Sequence, residues 1–338
     1  EGDILFSIAG ALGRTALVSN EILPANTNQA LAIIRLKKDA AIEKPYLILA
    51  LTTGFTAEQI EKHQGGVAQL NLSLGQMKTF EIPLPPIPEQ QRIVAILDQA
   101  FADIEKARAN AEQNLKNARE LFDSYLQQIF SQRGEGWVEY DLTDIVNLKS
   151  GNTVKKRLEK ESGDVAYIKV SGMNLLGNEL EITTSNKFLN HSDINPNSVL
   201  PIGTTIFPKR GGAIATNKKR ITAIPLCIDL NTMGVIPMQE VVLPQFIYFY
   251  FKTFNLLSIA NGTTIPQINN YSFDGLKISI PNIEQQQTSI MLMTKIQTTT
   301  SELRVLYEAK LAALEELKNT LLKKAFSGQL TNGKGIAA

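Results

Sequence analysis

Ile82-Pro83-Leu84-Pro85-Pro86-Ile87-Pro88-Glu89-Gln90-Gln91-Arg92 and Ile280-Pro281-Asn282-Ile283-Glu284-Gln285-Gln286-Gln287 are two versions of one stretch. Each opens a long run with helical patterning. The first run ends Gln128-Ile129-Phe130-Ser131-Gln132 and the second ends Lys324-Ala325-Phe326-Ser327-Gly328, with Phe130 and Phe326 lying 196 residues apart. That period is domain-sized rather than solenoid-sized. The chain therefore reads as one module duplicated, each copy a globular part followed by a long helix.

Other segments repeat in step. Pro45-Tyr46-Leu47-Ile48-Leu49 matches Pro244-Gln245-Phe246-Ile247-Tyr248, an apolar segment with proline at its start, as a helical first turn tolerates. Gly66-Val67-Ala68-Gln69-Leu70-Asn71 matches Thr264-Ile265-Pro266-Gln267-Ile268-Asn269. Phe80-Glu81-Ile82 and Leu276-Lys277-Ile278-Ser279-Ile280 alternate like half-buried strands and stop at prolines. Gly2-Asp3-Ile4-Leu5-Phe6 matches Gly203-Thr204-Thr205-Ile206-Phe207, which lies 66 residues beyond Trp137, where the second globular part opens. The first copy is thus expected to lack about that much at its front.

With 338 residues, 43% hydrophobic and 20% charged, the composition is that of a folded protein long enough for about two or three domains, and the repeat favours two. No stretch reaches the roughly 18 uninterrupted apolar residues of a membrane helix. Phe246-Ile247-Tyr248-Phe249-Tyr250-Phe251 stops at Lys252 and reads as core. The single Cys227 excludes an internal disulfide, and no basic leader is visible, so a cytoplasmic location is expected. A net charge of +1 places any nucleic-acid surface in a local basic patch.

The helical runs carry seams at alternating spacings of three and four. The first is Leu97, Ala100, Ile104, Ala107, Ala111, Asn114, Ala118, Leu121 and Tyr125. The second is Met293, Ile296, Thr300, Leu303, Tyr307, Lys310, Leu314, Leu317 and Leu321. Such spacing predicts coiled-coil helices. Alanines in the first seam and larger side chains in the second predict that the two pack on each other.

Catalytic patterns are missing. His63, His191 and Cys227 make no zinc spacing, and there is no phosphate loop, dinucleotide fingerprint, serine elbow or Cys/His pair. No catalytic or metal-ligating residues are assigned. Basic runs do cluster in the second globular part: Lys155-Lys156-Arg157, Lys209-Arg210, and Lys218-Lys219-Arg220. Beside glycines they are candidate phosphate contacts, although each run also fits a solvated charged face. Thr263, Thr264, Gln267 and Asn269, with Gln69 and Asn71 in the first copy, include the amides that pair with adenine edges. The same residue types serve turns and caps.

Together these features resemble the specificity subunit of type I restriction–modification systems. The resemblance rests on Pro85-Pro86-Ile87-Pro88-Glu89-Gln90-Gln91, on Ala325-Phe326-Ser327-Gly328-Gln329-Leu330, and on Gly262-Thr263-Thr264 before Gln267, and it covers nearly the whole chain. It implies an α+β fold: two target recognition domains separated by two long antiparallel coiled-coil helices, as a pseudo-twofold internal repeat. The expected division is an N-terminally incomplete first recognition domain at 1–88, a central spacer helix at 89–133, a second recognition domain at 134–282, a C-terminal spacer helix at 283–328 and a tail at 329–338. It further implies a non-catalytic subunit that reads a bipartite target on double-stranded DNA. The helices, through Leu97, Ile104, Leu121, Tyr125, Leu303, Tyr307, Leu314, Leu317 and Leu321, would set the gap and dock two modification subunits. Those subunits would bind S-adenosylmethionine and methylate adenine, restriction subunits would join them, and this chain would hold no cofactor and touch no membrane. A coiled-coil adaptor that binds only proteins, or the recognition part of a larger restriction enzyme, are the competing readings.

Overall fold

The structure is a computed structural model that describes residues 1–63, 71–131, 134–262 and 264–330. Two compact units emerge: Glu1–Lys116 with Val305–Ala338, and Asn117–Arg304.

The first unit holds a three-stranded antiparallel sheet of β1 (Ile4–Ser7), β2 (Thr15–Leu17) and β3 (Leu31–Ile34) in the order β2-β1-β3. Ile4 and Phe6 alternate into the core with Leu5 between them, the period-two pattern of a half-buried strand. Helices α1 (Lys44–Leu51), α2 (Gly54–His63) and α3 (Leu74–Met77) follow. Pro45 sits in the first turn of α1, where no N–H is needed, and Leu47 and Leu51 join Ile4, Phe6 and Leu72 in one core cluster. The long helix α4 (Ile87–Ser131) then begins. Phe80–Ile82 forms no strand, because no segment pairs with it among the described residues.

The second unit contains β4 (Val138–Asp141), α5 (Leu142–Ile145) and β5 (Val146–Ser150), then the short strands β6 (Val165–Ile168), β7 (Glu181–Ile182) and β8 (Phe188–Leu189). Strands β9 (Thr205–Pro208), β10 (Arg220–Thr222), β11 (Leu226–Ile228) and β12 (Thr232–Pro237) come next, followed by α6 (Pro244–Thr253), β13 (Lys277–Ile280) and the second long helix α7 (Ile283–Phe326). The main sheet runs β5-β12-β9-β10-β7. A smaller one runs β11-β6-β8, and β13 pairs with β4. Helix α6 buries Phe246, Ile247, Phe249 and Phe251 at the centre of the largest core, with Phe207 stacked on Phe251 at a centroid distance of 5.7 Å. An apolar surface that wide around one helix can be covered only inside a core.

The two long helices contribute to both units. In the first unit, Leu97 of α4 packs with Leu322 and Ala325 of α7, and Glu105 meets Lys318 at 3.6 Å. Arg108 lies within electrostatic reach of Glu315, so positions rise along α4 as they fall along α7 and the pair is antiparallel there. In the second unit Phe122 and Leu126 share the core with Met293.

The expected seam holds at Leu97, Ile104, Ala111, Ala118 and Met293 and then slips by one residue. Leu121 is 56% exposed and Leu317 is 45% exposed, whereas Phe122, Leu126, Leu322 and Ala325 are buried. Tyr125, Leu303, Tyr307, Leu314 and Leu321 are half-buried, and Asn114 and Lys310 are exposed. A straight helix with 3.6 residues per turn drifts about 20° per heptad against a 3.5-residue repeat, so a fixed seven-residue reading loses the seam after a few turns.

At the start of each long helix lies the same buried side chain. The Gln90 amide accepts the Glu43 N–H (2.8 Å) and donates to the carbonyls of Ala41 (2.9 Å) and Pro85 (2.8 Å). Gln286 accepts the Leu243 N–H (2.8 Å) and donates to the carbonyls of Val241 (3.0 Å) and Pro281 (2.9 Å). Both glutamines are 0% exposed.

Because Leu97 is sealed in the helix pair, Leu97→Ala should lower stability by about 2–5 kcal/mol. Leu121→Ala, removing an exposed side chain, should stay within about 0.5 kcal/mol of the parent. Urea unfolding of the two variants side by side checks the seam, and equal losses would place Leu121 in it.

Candidate nucleic-acid interface

In the second unit, strand register brings three strand ends together. Met233 pairs with Ser150 and Thr232 pairs with Pro208, so the end of β5, the end of β9 and the start of β12 meet at one edge of the sheet. Lys209 leaves this edge with its N–H on the Asn231 carbonyl (2.8 Å) and its ammonium on Ser150 Oγ (2.8 Å). Burial, and then the neighbouring charge of Arg210, lower its pKa. A distant loop is stitched on by backbone bonds: Ile268 N–H donates to the Lys209 carbonyl (2.9 Å) and Gly211 N–H to the Pro266 carbonyl (2.8 Å). Arg210 and Gln267, 57 residues apart in sequence, become bridge partners.

Two glycines make the edge possible. A Cβ on Gly151 would lie 2.0 Å from the Asp229 carbonyl oxygen, so only glycine lets the strand end pass there. Gly211 has φ +69 and open space where a side chain would stand. Arg210 is exposed, and its guanidinium has no partner among the described residues. The result is a free cation beside a side-chain amide over an open glycine turn.

The first unit repeats the backbone and changes the side chains. Leu72 N–H donates to the Ile8 carbonyl (2.8 Å), Ala9 bridges to Asn71, and Gly10 has φ +71 with open space beside it. Asn71 is exposed and bridges to Ala9 as Gln267 bridges to Arg210, so the backbone aligns Asn71 with Gln267, two residues away from the sequence match that set Gln69 against Gln267. Ile8-Ala9 replaces Lys209-Arg210, so the two positions ahead of the glycine carry no cation, and the nearest along the turn is Arg14, whose N–H donates to Ser7 Oγ (2.8 Å).

The remaining candidates divide. Lys155, Lys156 and Arg157 are exposed around the turn Lys156–Leu158, and Thr264 is exposed near Gln267. Gln69 and Thr263 lie outside the described residues. The ammonium of Lys218 is held by Asn174 Oδ1. Lys219 is no phosphate contact: it is 2% exposed, and its ammonium donates to Asn217 Oδ1 (2.7 Å) and the Phe254 carbonyl (2.5 Å). Arg220 is half-buried, and its guanidinium bonds the carbonyls of Asn178 and Lys219, so it too serves the interior. Asn269 is a cap rather than a reader. At the turn Asn270–Phe273 its N–H donates to Ser272 Oγ (3.1 Å), its carbonyl accepts the Ser272 N–H (2.9 Å), and its side-chain amide donates to the Tyr271 hydroxyl (3.1 Å).

Sequence reasoning passed over Gln90 and Gln286 at the helix joints, and a cleft in the second unit. Asp123 and Gln127 of α4, with Thr216, Asn217, Lys219, Lys252 and Thr253, line a space of about 390 Å³. Asn217 occupies the left-handed region at φ 52, which lets its Oδ1 take both the Lys219 ammonium and the Leu256 N–H (3.0 Å). Burial, and then the charge of Lys252, push the Lys219 pKa down to about 7, with Asp123 opposing. Burial lowers Lys252 as well.

Comparison with known proteins places this arrangement. A family model described as type I restriction modification DNA specificity domain matches residues 1–113 and 134–311. The type I restriction enzyme MjaIX specificity subunit of Methanocaldococcus jannaschii is 23% identical over 351 residues, which covers 98% of this chain and 78% of that protein. The EcoBI specificity subunit of Escherichia coli is 29% identical over 161 residues, 47% of this chain and 33% of that one. Two solved structures share the fold. One, from work on complex assembly and conformational transition of the type I R-M system, has a TM-score of 0.82 at 19% identity, covering 97% of this chain and 82% of that one. The other, the HsdS subunit from Thermoanaerobacter tengcongensis, has a TM-score of 0.65 at 18% identity, covering 97% and 81%.

The buried lysine has a consequence for pH. Between about pH 7 and 10.5 the unfolded chain binds a proton at Lys219 that the folded chain has released, so stability rises with pH across that window. The slope contributed is at most about 1.4 kcal/mol per pH unit. Urea midpoints should climb between pH 7 and 9, below the range in which tyrosines titrate, and climb less in Lys219→Met. An identical slope in both proteins would place the ammonium in solvent.

Proposed function

The chain belongs to the family of type I restriction modification DNA specificity domains, and from that premise we propose how its two units read DNA. It is a specificity subunit and not an enzyme: recognition is its part of the restriction–modification complex, and the chemistry is done by other subunits. Each unit reads one half of a bipartite target with the loops on its glycine turn. The observation that carries this is the duplicated stitch of Arg210 to Gln267 and Ala9 to Asn71, each ahead of a long helix.

In the second unit, Arg210 and Gln267 supply adjacent groups of the kinds that bond guanine and adenine edges or phosphate. Lys155, Lys156 and Arg157 add exposed cations for the backbone. In the first unit, Asn71 reads beside Ala9 rather than beside an arginine. Two half-sites joined through one subunit bind at high effective concentration, so modest contacts in each unit suffice together. Helices of 45 and 44 residues, about 66 Å at 1.5 Å per residue, act as the spacer that fixes the gap. The helices dock two modification subunits, which carry S-adenosylmethionine and methylate adenine. Restriction subunits join that assembly in the cytoplasm.

Two experiments bear on this reading. With the assembled methyltransferase and a target duplex, Arg210→Ala should weaken binding and reduce the salt slope by about 0.9 if it touches phosphate. Lys219→Met should leave the slope alone, and equal behaviour of the two variants would move the contact surface elsewhere. Removing two heptads from both α4 and α7 should shorten the gap in the methylated sequence while each half-site is unchanged. A methylation map with the original gap would end the spacer reading.

A further inference from the structure

The two joint glutamines make the same three backbone hydrogen bonds in two places, and in the first copy the neighbouring Gln91 adds a side-chain bond to Glu43 (3.0 Å). Gln91, Gln285 and Gln287 are exposed, so the repeated Glu-Gln-Gln segment buries one glutamine only in each copy. That one ties two backbone segments to the long helix that carries it: the residues before the domain helix (41–43 or 241–243) and the proline stretch that closes the domain (Pro85 or Pro281). The chemistry is specific to a primary amide. Two N–H groups face two carbonyls and one carbonyl oxygen faces an N–H, so glutamate lacks the donors and leucine lacks everything. In both copies the domain helix begins with a proline in its first turn, at Pro45 and Pro244, which stiffens the segment that the glutamine grips.

We propose that Gln90 and Gln286 are positioning residues for target spacing, fixing the direction in which each long helix leaves its recognition domain and so the gap length that the subunit accepts. This rests on the DNA-reading function proposed above. Leverage gives the joint its importance. A tilt of about 1° at the start of a helix some 60 Å long moves its far end by about 1 Å, so roughly 3° spans the 3.4 Å rise of one base pair. Side-chain packing alone tolerates tilts of that size, because packed helices vary in crossing angle by about 15–20° between cases. Three hydrogen bonds to backbone, short and differently aimed, do not.

Methylation mapping with the assembled complex tests this using Gln90→Glu, Gln286→Glu and the exposed control Gln287→Glu, which makes the same change of charge one position away. The parent should methylate one gap length. The two joint variants should keep both half-site sequences while discrimination against gaps one base pair longer or shorter falls about tenfold or more. The control should match the parent. An unchanged gap set in folded joint variants, or altered half-site sequences, would overturn the assignment. A parent that methylates no bipartite target would instead remove the function on which it rests. Should the glutamate variants not fold, amide exchange of the parent decides. The Glu43 and Leu243 N–H groups should exchange about 100-fold or more slowly than loop amides, and exchange at loop rates would overturn the lock.

Discussion

A backbone N–H or carbonyl that is taken out of water needs a partner, and two long helices start in this protein where such groups are dense. Leaving one of them unmet costs about 1–3 kcal/mol. At each joint, one glutamine meets three. Proline surrounds them because a residue without an N–H makes one fewer demand on a crowded corner. The proline-rich stretch and the glutamine after it are therefore one device: the prolines lower the number of donors, and the amide satisfies what remains.

The same accounting shapes the sheet edge at Lys209 and Arg210. In this chain 34 Lys and Arg are balanced by 33 Asp and Glu, so a basic edge depends on where cations are placed, and the second unit uses several internally. Lys219 and Arg220 bond backbone carbonyls, and Lys218 bonds Asn174. What remains at the edge is a small set, of which Arg210 is exposed and without a side-chain partner among the described residues. Its neighbour Gln267 arrives there through backbone bonds across a long sequence separation. Charge near the edge is thus set by which lysines the core keeps as much as by which the surface shows.

The features visible in the sequence were those with a period. Duplication, the two long helices and the apolar helix of residues 246–251 follow from repetition and spacing, which survive without coordinates. The features that escaped depend on direction. Asn217-Lys218-Lys219-Arg220 reads as a basic patch because sequence records a charge and not the way it points, and Lys219 points inward. Asn269 looked like a base reader and is a cap, since one amide can serve either purpose. Leu121 and Leu317 fell off the seam because a seven-residue repeat and a 3.6-residue turn part company over several heptads. Gln90 and Gln286 belong to the repeated motif itself, but nothing in a run of polar letters says that one of them is dry.

The turn at Gly10 and the turn at Gly211 are held by backbone groups: Leu72 N–H on Ile8, and Ile268 N–H on Lys209. Such bonds are indifferent to the side chains hung on them. Ile8-Ala9 and Lys209-Arg210 occupy the same scaffold with opposite character, and neither disturbs it. Mutation can therefore change the side chains this edge presents while the frame that presents them stays intact. A lineage carrying this fold can change the chemistry of this edge quickly without first passing through a broken protein.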